Sequence, residues 1–271
     1  MISATSQGTA LVTGASTGIG AVYADRLARR GFDLILVARN ASKLQSVADR
    51  LAAQTGRSVR VLPADLTQPA DLQQVEQVLR ENPDIRLLVN NAGFAAVTPL
   101  LDSAVERMQD MIAVNVTALT RLTYAVAPAF AARGSGTIIN ISSIVGIATE
   151  RLNGVYSASK AYVLAFTQSL QNELAGKGVR IQAVLPGATA TDLWQNAGLH
   201  HRNLPAGIVM SPEALVDAAL AGLDQGETVS IPPLQDAEHW NRYDAARRAL
   251  SQQFAHAEPA PRYRGASSAA A

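Results

Sequence analysis

The amino-acid sequence predicts a doubly wound α/β fold: a parallel sheet of about seven strands with helices on both faces. Three observations carry that reading. Short β-branched runs alternate with longer helical stretches along most of the chain. The runs are apolar nearly throughout instead of alternating, which suits strands buried on both faces. A glycine-rich turn joins the first run to the first helical stretch.

In chain order, strands are predicted at Thr9–Thr13, Asp33–Val37, Ser58–Leu62, Leu87–Asn90, Thr137–Ile141, Val179–Leu185 and Thr228–Ile231. Between them, helices are predicted at about Gly18–Arg30, Ala41–Gln54, Pro69–Glu81, Ala104–Ala132, Gly154–Gly176 and Pro212–Asp224. Repeated units of this size imply right-handed crossovers between parallel neighbours. Gly134-Ser135-Gly136 is read as the turn that ends one helix before the next strand. Near the end, Asp236–Phe254 places Trp240, Tyr243, Leu250 and Phe254 at helical spacings. That added helix either packs on the sheet or serves as a lid or subunit contact. One domain is expected over residues 1–256, and a mobile tail over Ala257–Ala271.

Bulk properties narrow the function classes. The 271 residues can bury a sizeable core, and 48% apolar with 17% charged residues is not a disordered composition. The 23 basic and 22 acidic residues nearly cancel, so no nucleic-acid or membrane partner is expected. The chain has no cysteine, which excludes disulfides and thiolate chemistry. Met1–Gln7 lacks the pattern of a signal peptide, and a cytoplasmic location is expected by default.

The first chemical signal is Thr13-Gly14-Ala15-Ser16-Thr17-Gly18-Ile19-Gly20, where a strand runs into a helix. Glycines there permit a tight turn and close backbone approach to a pyrophosphate, which the helix N-terminus favours. The second strand ends Leu36-Val37-Ala38-Arg39, with Ala38 where NAD-binding folds usually carry an acid. Arg39 can hold a 2′-phosphate through two hydrogen bonds, so NADP(H) is the expected cofactor and NAD(H) the second candidate. A solvated loop residue is the other reading of Arg39. Asp65, beside Leu66, is placed either to meet the adenine or to cap a helix together with Thr67.

Tyr156 and Lys160 stand four residues apart at the start of a helix and so share one face. An ammonium beside a phenol stabilises the phenolate. Lowering a phenol's pKa by about three units takes roughly 4 kcal/mol, within reach of a close, partly desolvated cation.

With the glycine loop, this pair makes the chain resemble the short-chain dehydrogenase/reductase family, and in its closing stretch (Ser230–Leu234, Trp240, Tyr243, Arg247-Arg248) a bacterial branch of it. Asn90-Asn91-Ala92-Gly93, Asn115, Ser142-Ser143, and Pro186-Gly187 with Thr191 are similar to its other motifs, in order, from about Thr9 to Ile231. The resemblance implies a Rossmann-type fold and a catalytic set of Asn115, Ser143, Tyr156 and Lys160. The family's spacing favours Ser143 over Ser142. Ser143 would fix the substrate oxygen and Tyr156 would exchange its proton. Lys160 would lower the tyrosine pKa and bind the nicotinamide ribose. Asn115, through a kinked helix, would hold a water that links Lys160 to solvent. Gly14, Ser16, Thr17, Gly18, Ile19 and Gly20 would cradle the phosphates. Asn91, Ala92 and Gly93 would line the cleft, though Asn91 has a purely structural alternative. Pro186 and Gly187 would lie under the nicotinamide, with Thr189 or Thr191 near its amide or the phosphates. NADP(H)-preferring relatives often carry a base where Thr17 stands, which leaves Arg39 as the single basic contact.

The family's substrate loop corresponds to Ala188–Met210. Leu193 and Trp194 from it, with Phe94, Ser143, Val145, Leu152 and Tyr156, would form a mostly apolar pocket for a ketone, aldehyde or hydrophobic alcohol. His200-His201 is read as surface loop, and no metal is expected. The resemblance implies a homodimer or homotetramer. A cofactor-sensing regulator without turnover is the alternative from another class, and an isomerase or dehydratase on this fold a third reading.

Overall fold

The computed structural model describes residues 6–193, 197 and 201–263. Seven strands form one parallel sheet: β1 (Thr9–Thr13), β2 (Asp33–Ala38), β3 (Val59–Pro63), β4 (Ile85–Asn90), β5 (Gly136–Ile141), β6 (Val179–Val184) and β7 (Val229–Ser230). Their order is β3-β2-β1-β4-β5-β6-β7. The order reverses between β1 and β4, and a doubly wound sheet opens a crevice beyond its strand ends at such a point.

Successive strand residues face opposite sides, and here both sides are buried. Val12, Leu36, Leu87 and Ile139 join one apolar cluster, while Leu11, Ile35, Leu88 and Ile138 join the other. The first is covered by α1 (Gly18–Arg29), α2 (Ala41–Thr55) and, later in the chain, Pro212–Asp224. The second is covered by α3 (Pro69–Glu81), α5 (Leu119–Arg133) and α6 (Gly154–Glu173). This two-sided burial is why the strands read as continuous apolar runs.

Helix starts follow local chemistry. Asn40 caps α2 by accepting from the Lys43 amide at 2.9 Å, and Pro69 opens α3. Gly56 and Gly134 end α2 and α5 in the left-handed conformation. Ser211 caps α7 (Pro212–Asp224) through the Ala214 amide.

The long helix predicted over Ala104–Ala132 is not uniform. It consists of α4 (Val105–Ile112), a π-helical turn over Ala113–Ala118, and α5. Asn115 sits in that turn, and π-turns widen a helix where a side chain must be placed. The predicted strand at Thr228–Ile231 shortens to two residues.

Contacts divide the chain into two units, Met1–Pro233 and Leu234–Ala271. The second contains α8 (Glu238–Ser251), in which Asp244 pairs with Arg247 and Arg248 and Trp240 lies 5.5 Å from Tyr243. Of the tail expected to be mobile, Pro261–Tyr263 form a single 3-10 turn, and residues 264–271 lie outside the described residues. Among the described residues, no helix is long and apolar enough to cross a membrane.

Candidate active site

The crevice at the β1/β4 switch point holds a cavity of about 330 Å³. Gly14, Ser16, Thr17, Ile19, Arg39, Asp65, Leu66, Asn91, Ala92, Gly93 and Thr191 all line it. The structure thus gathers residues from five separate strand ends. Gly18 and Gly20 do not line it; they shape the turn. Gly14 and Gly18 adopt positive φ of 67° and 55°. A Cβ on Gly14 would stand 2.7 Å from Asn91 Nδ2, and one on Gly20 would overlap Gly14 O.

Asn91 does more than line the wall. Its Nδ2 donates to Thr13 O at 2.9 Å and Gly14 O at 3.3 Å, so it holds the loop to β4. Thr13 makes the reciprocal tie. Its Oγ1 accepts from the Asn91 and Ala92 amides, each at 3.0 Å, and donates to Val89 O at 3.2 Å. Asp65 accepts from the amide and hydroxyl of Thr67 at 3.0 and 2.8 Å, capping the turn that leads into α3.

Sequence reasoning missed Asn40, Lys43, Val114 and Asp192 as cavity residues. For Lys43 a signal existed: a basic residue four positions after Arg39, in the first turn of the following helix. Arg39 is therefore not the single basic group at this end of the cavity. Pro186, Gly187 and Thr189 do not line it. Thr189 is buried, and its hydroxyl donates to Gly187 O at 3.1 Å, which leaves Thr191 facing the cavity.

Ser143, Tyr156, Lys160 and Asn115 converge beside this cavity. Asn153 caps α6, accepting from the Val155 and Tyr156 amides at 2.9 and 3.3 Å. That cap sets where Tyr156 leaves the helix. Ser143 opens a 3-10 turn after β5; its Oγ accepts from the Val145 amide and donates to Pro186 O at 3.4 Å. Ser142 points elsewhere: its Oγ donates to Lys160 O at 2.7 Å. Asn115 donates to Phe94 O at 3.0 Å and to Ser159 Oγ at 3.1 Å, and accepts from the Phe94 amide at 3.1 Å. A Cβ on Gly93 would lie 2.8 Å from Asn115 Oδ1 and 3.7 Å from Lys160 Nζ, so this glycine joins the cavity to the polar cluster.

Burial sets the electrostatics. It pushes the Tyr156 hydroxyl up to about 12, opposed by hydrogen bonding from Ser143. It pushes the Lys160 ammonium down to about 8. Lys160 Nζ lies 5.8 Å from the Tyr156 ring centre and donates to Ile141 O at 2.9 Å. For Tyr156, desolvation outweighs the opposing effect of Ser143. A phenol of this kind is protonated at neutral pH and suited to donate a proton.

Of the residues expected to form a substrate pocket, Phe94, Val145, Leu152, Tyr156 and Leu193 meet in one apolar cluster. Ala95, Ala96, Met108 and Met111 also belong to it, and the α4 methionines were not anticipated. Trp194 and His200 lie outside the described residues, as does the side chain of His201.

A parallel sheet with a glycine loop at its switch point, and a Ser-Tyr-Lys cluster at the mouth of the same crevice, define a dinucleotide-binding oxidoreductase architecture. The model of the short chain dehydrogenase family matches residues 8–201. The chain belongs to that family. A short-chain dehydrogenase from Sphingobium yanoikuyae, solved in complex with NADPH, is 49% identical with a TM-score of 0.92, covering 95% of this chain and all of that one (100%). The bulky-bulky ketone specific alcohol dehydrogenase from Comamonas testosteroni is 45% identical with a TM-score of 0.88, over 96% and 99% of the two chains. Human 17-beta-hydroxysteroid dehydrogenase type 3 is 37% identical over 186 residues, 67% of this chain; the match spans 59% of the human protein's length.

Proposed function

We propose that this protein is an NADP(H)-dependent oxidoreductase that interconverts a hydrophobic ketone or aldehyde and its alcohol, with Tyr156 as the acid/base. The observation that carries this reading is the grouping of Ser143, Tyr156 and Lys160, with Lys160 Nζ 5.8 Å from the Tyr156 ring centre, beside the cavity that the glycine loop lines.

The residues present fit the cofactor. Gly14 leaves room where any Cβ would clash, Ala38 offers no carboxylate to repel a 2′-phosphate, and Arg39 stands beside it. NADPH in the Sphingobium relative supports the same choice. When bound, NADP(H) supplies or accepts the hydride. The protein's own groups handle the oxygen. Ser143 and Tyr156 hydrogen-bond the carbonyl oxygen, and in reduction Tyr156 donates its proton to it. The Lys160 charge, in a site with little water, stabilises the phenolate that remains. Asn115 fixes the Phe94 peptide at the pocket wall. The apolar cluster of Phe94, Val145, Leu152 and Leu193 favours a hydrophobic substrate, consistent with the ketone specificity of the Comamonas relative.

Assembly as a homodimer or homotetramer is part of this reading. Val105, Ile112 and Tyr124 stand exposed on α4 to α5, with Tyr124 stacked on Phe166. Light scattering of the purified protein tests it.

The deciding experiment is NADPH oxidation, followed by absorbance, against a panel of hydrophobic ketones and aldehydes with a sugar as control. Turnover of the hydrophobic set is the expected result. Tight NADPH binding with no turnover across the panel would favour a cofactor sensor instead.

A further inference from the structure

The adenosine end of the cavity carries two cations where the sequence suggested one. Arg39 follows β2, and Lys43 stands in the first turn of α2; both line the cavity. Among the described residues, neither side chain makes an ion pair or a hydrogen bond. Asn40 lies between them, and its Oδ1 accepts from the Lys43 amide at 2.9 Å and the Ser42 hydroxyl at 2.9 Å. That double contact fixes the turn from which Lys43 projects.

Helix stability does not account for this lysine. A cation in the first turn faces the positive end of the helix dipole, which is unfavourable. No acidic residue in that turn offsets it. A 2′-phosphate carries close to two negative charges at neutral pH, more than one guanidinium neutralises. The glycine loop adds no base, since position 17 is threonine. A flexible ammonium complements a planar guanidinium: Arg39 can clamp two phosphate oxygens, and Lys43 can reach a third as a point charge.

We propose that Lys43 is a second specificity-determining residue for the cofactor's 2′-phosphate, acting with Arg39. This rests on the NADP(H) reading above. The test is titration of wild type, Lys43→Ala, Lys43→Arg, Arg39→Ala and the double variant with NADPH, NADH and adenosine 2′,5′-bisphosphate.

Lys43→Ala is expected to weaken NADPH and the bisphosphate about ten-fold and NADH less than about two-fold, while Lys43→Arg restores most of the loss. The double variant is expected to bind NADPH and NADH alike. The melting temperature of Lys43→Ala should be no lower than that of wild type, which separates recognition from folding. If wild type prefers NADPH and Lys43→Ala keeps that preference, the lysine inference is overturned and the NADP(H) reading stands. Equal weakening of both dinucleotides by Lys43→Ala overturns it likewise. If wild type binds NADPH and NADH equally, the NADP(H) reading falls and takes this inference with it.

Discussion

Asn115 closes both hydrogen bonds of a single residue's backbone: its Oδ1 accepts from the Phe94 amide at 3.1 Å and its Nδ2 donates to the Phe94 carbonyl at 3.0 Å. The side chain acts as a short strand for a segment that has none. Asn115→Ala leaves the partly buried Phe94 amide and carbonyl and the buried Ser159 hydroxyl each short of a partner. The expected cost is about 2–3 kcal/mol of stability, read by denaturant melts. Asn115→Asp keeps the acceptor and loses the donor. It should fall between the two, and a melt equal to wild type for either variant would contradict the assignment.

Tyr156→Phe removes one oxygen from a buried site and leaves the glycine loop untouched. NADPH affinity should stay within about two-fold, while turnover drops about a thousand-fold. A variant that retains more than a tenth of wild-type turnover would remove Tyr156 from the acid/base role.

Lys160 couples function to stability through pH. Its folded pKa of about 8 lies below the ordinary lysine value of 10.5. The folded protein therefore bears the full cost of a buried charge below pH 8 and sheds it as pH rises toward 10.5. That lowering corresponds to roughly 3 kcal/mol. Lys160→Met removes that cost and loses the bond to Ile141 O, worth about 1 kcal/mol. It is expected to melt higher than wild type at pH 7, with the advantage gone by about pH 10, and to be inactive. A lower melting temperature at pH 7 would contradict this. In wild type, reductive turnover should decline above about pH 8, where the ammonium is lost.

Gly20→Ala places a methyl against Gly14 O and Asn91 Nδ2, both of which belong to the loop's own scaffold. Backbone must yield, at about 1–3 kcal/mol. NADPH affinity should fall at least about ten-fold, measured by titration. Unchanged affinity would mean that the loop tolerates displacement.

Much of the fold was legible because its signals are local. Pro69–Glu81 and Pro212–Asp224 begin on prolines and end where predicted, and Thr9–Thr13 was read to the residue. The break at Ala113–Ala118 was not visible in the apolar pattern, since a π-turn depends on what Asn115 bonds across space. The same holds for the site. Tyr156 and Lys160 announce themselves by spacing on one helix. Met108 and Met111 reach the apolar cluster around Tyr156 only through the packing of α4, which no local pattern encodes. Lys43 lay within reach of sequence reasoning, but its place in the cavity follows from how α2 leaves the sheet.

The Thr13 hydroxyl has a further consequence. One oxygen staples the tip of β1 to three backbone groups of the β4 segment, across the seam where the two halves of the sheet part. A seam stapled in this way is expected to resist opening. The expectation is a crevice of the same width with or without a ligand, its shaping entropy lost at folding and not at binding. Slow amide exchange at Asn91 and Ala92, unchanged by added dinucleotide, would be the mark of a groove cast in advance.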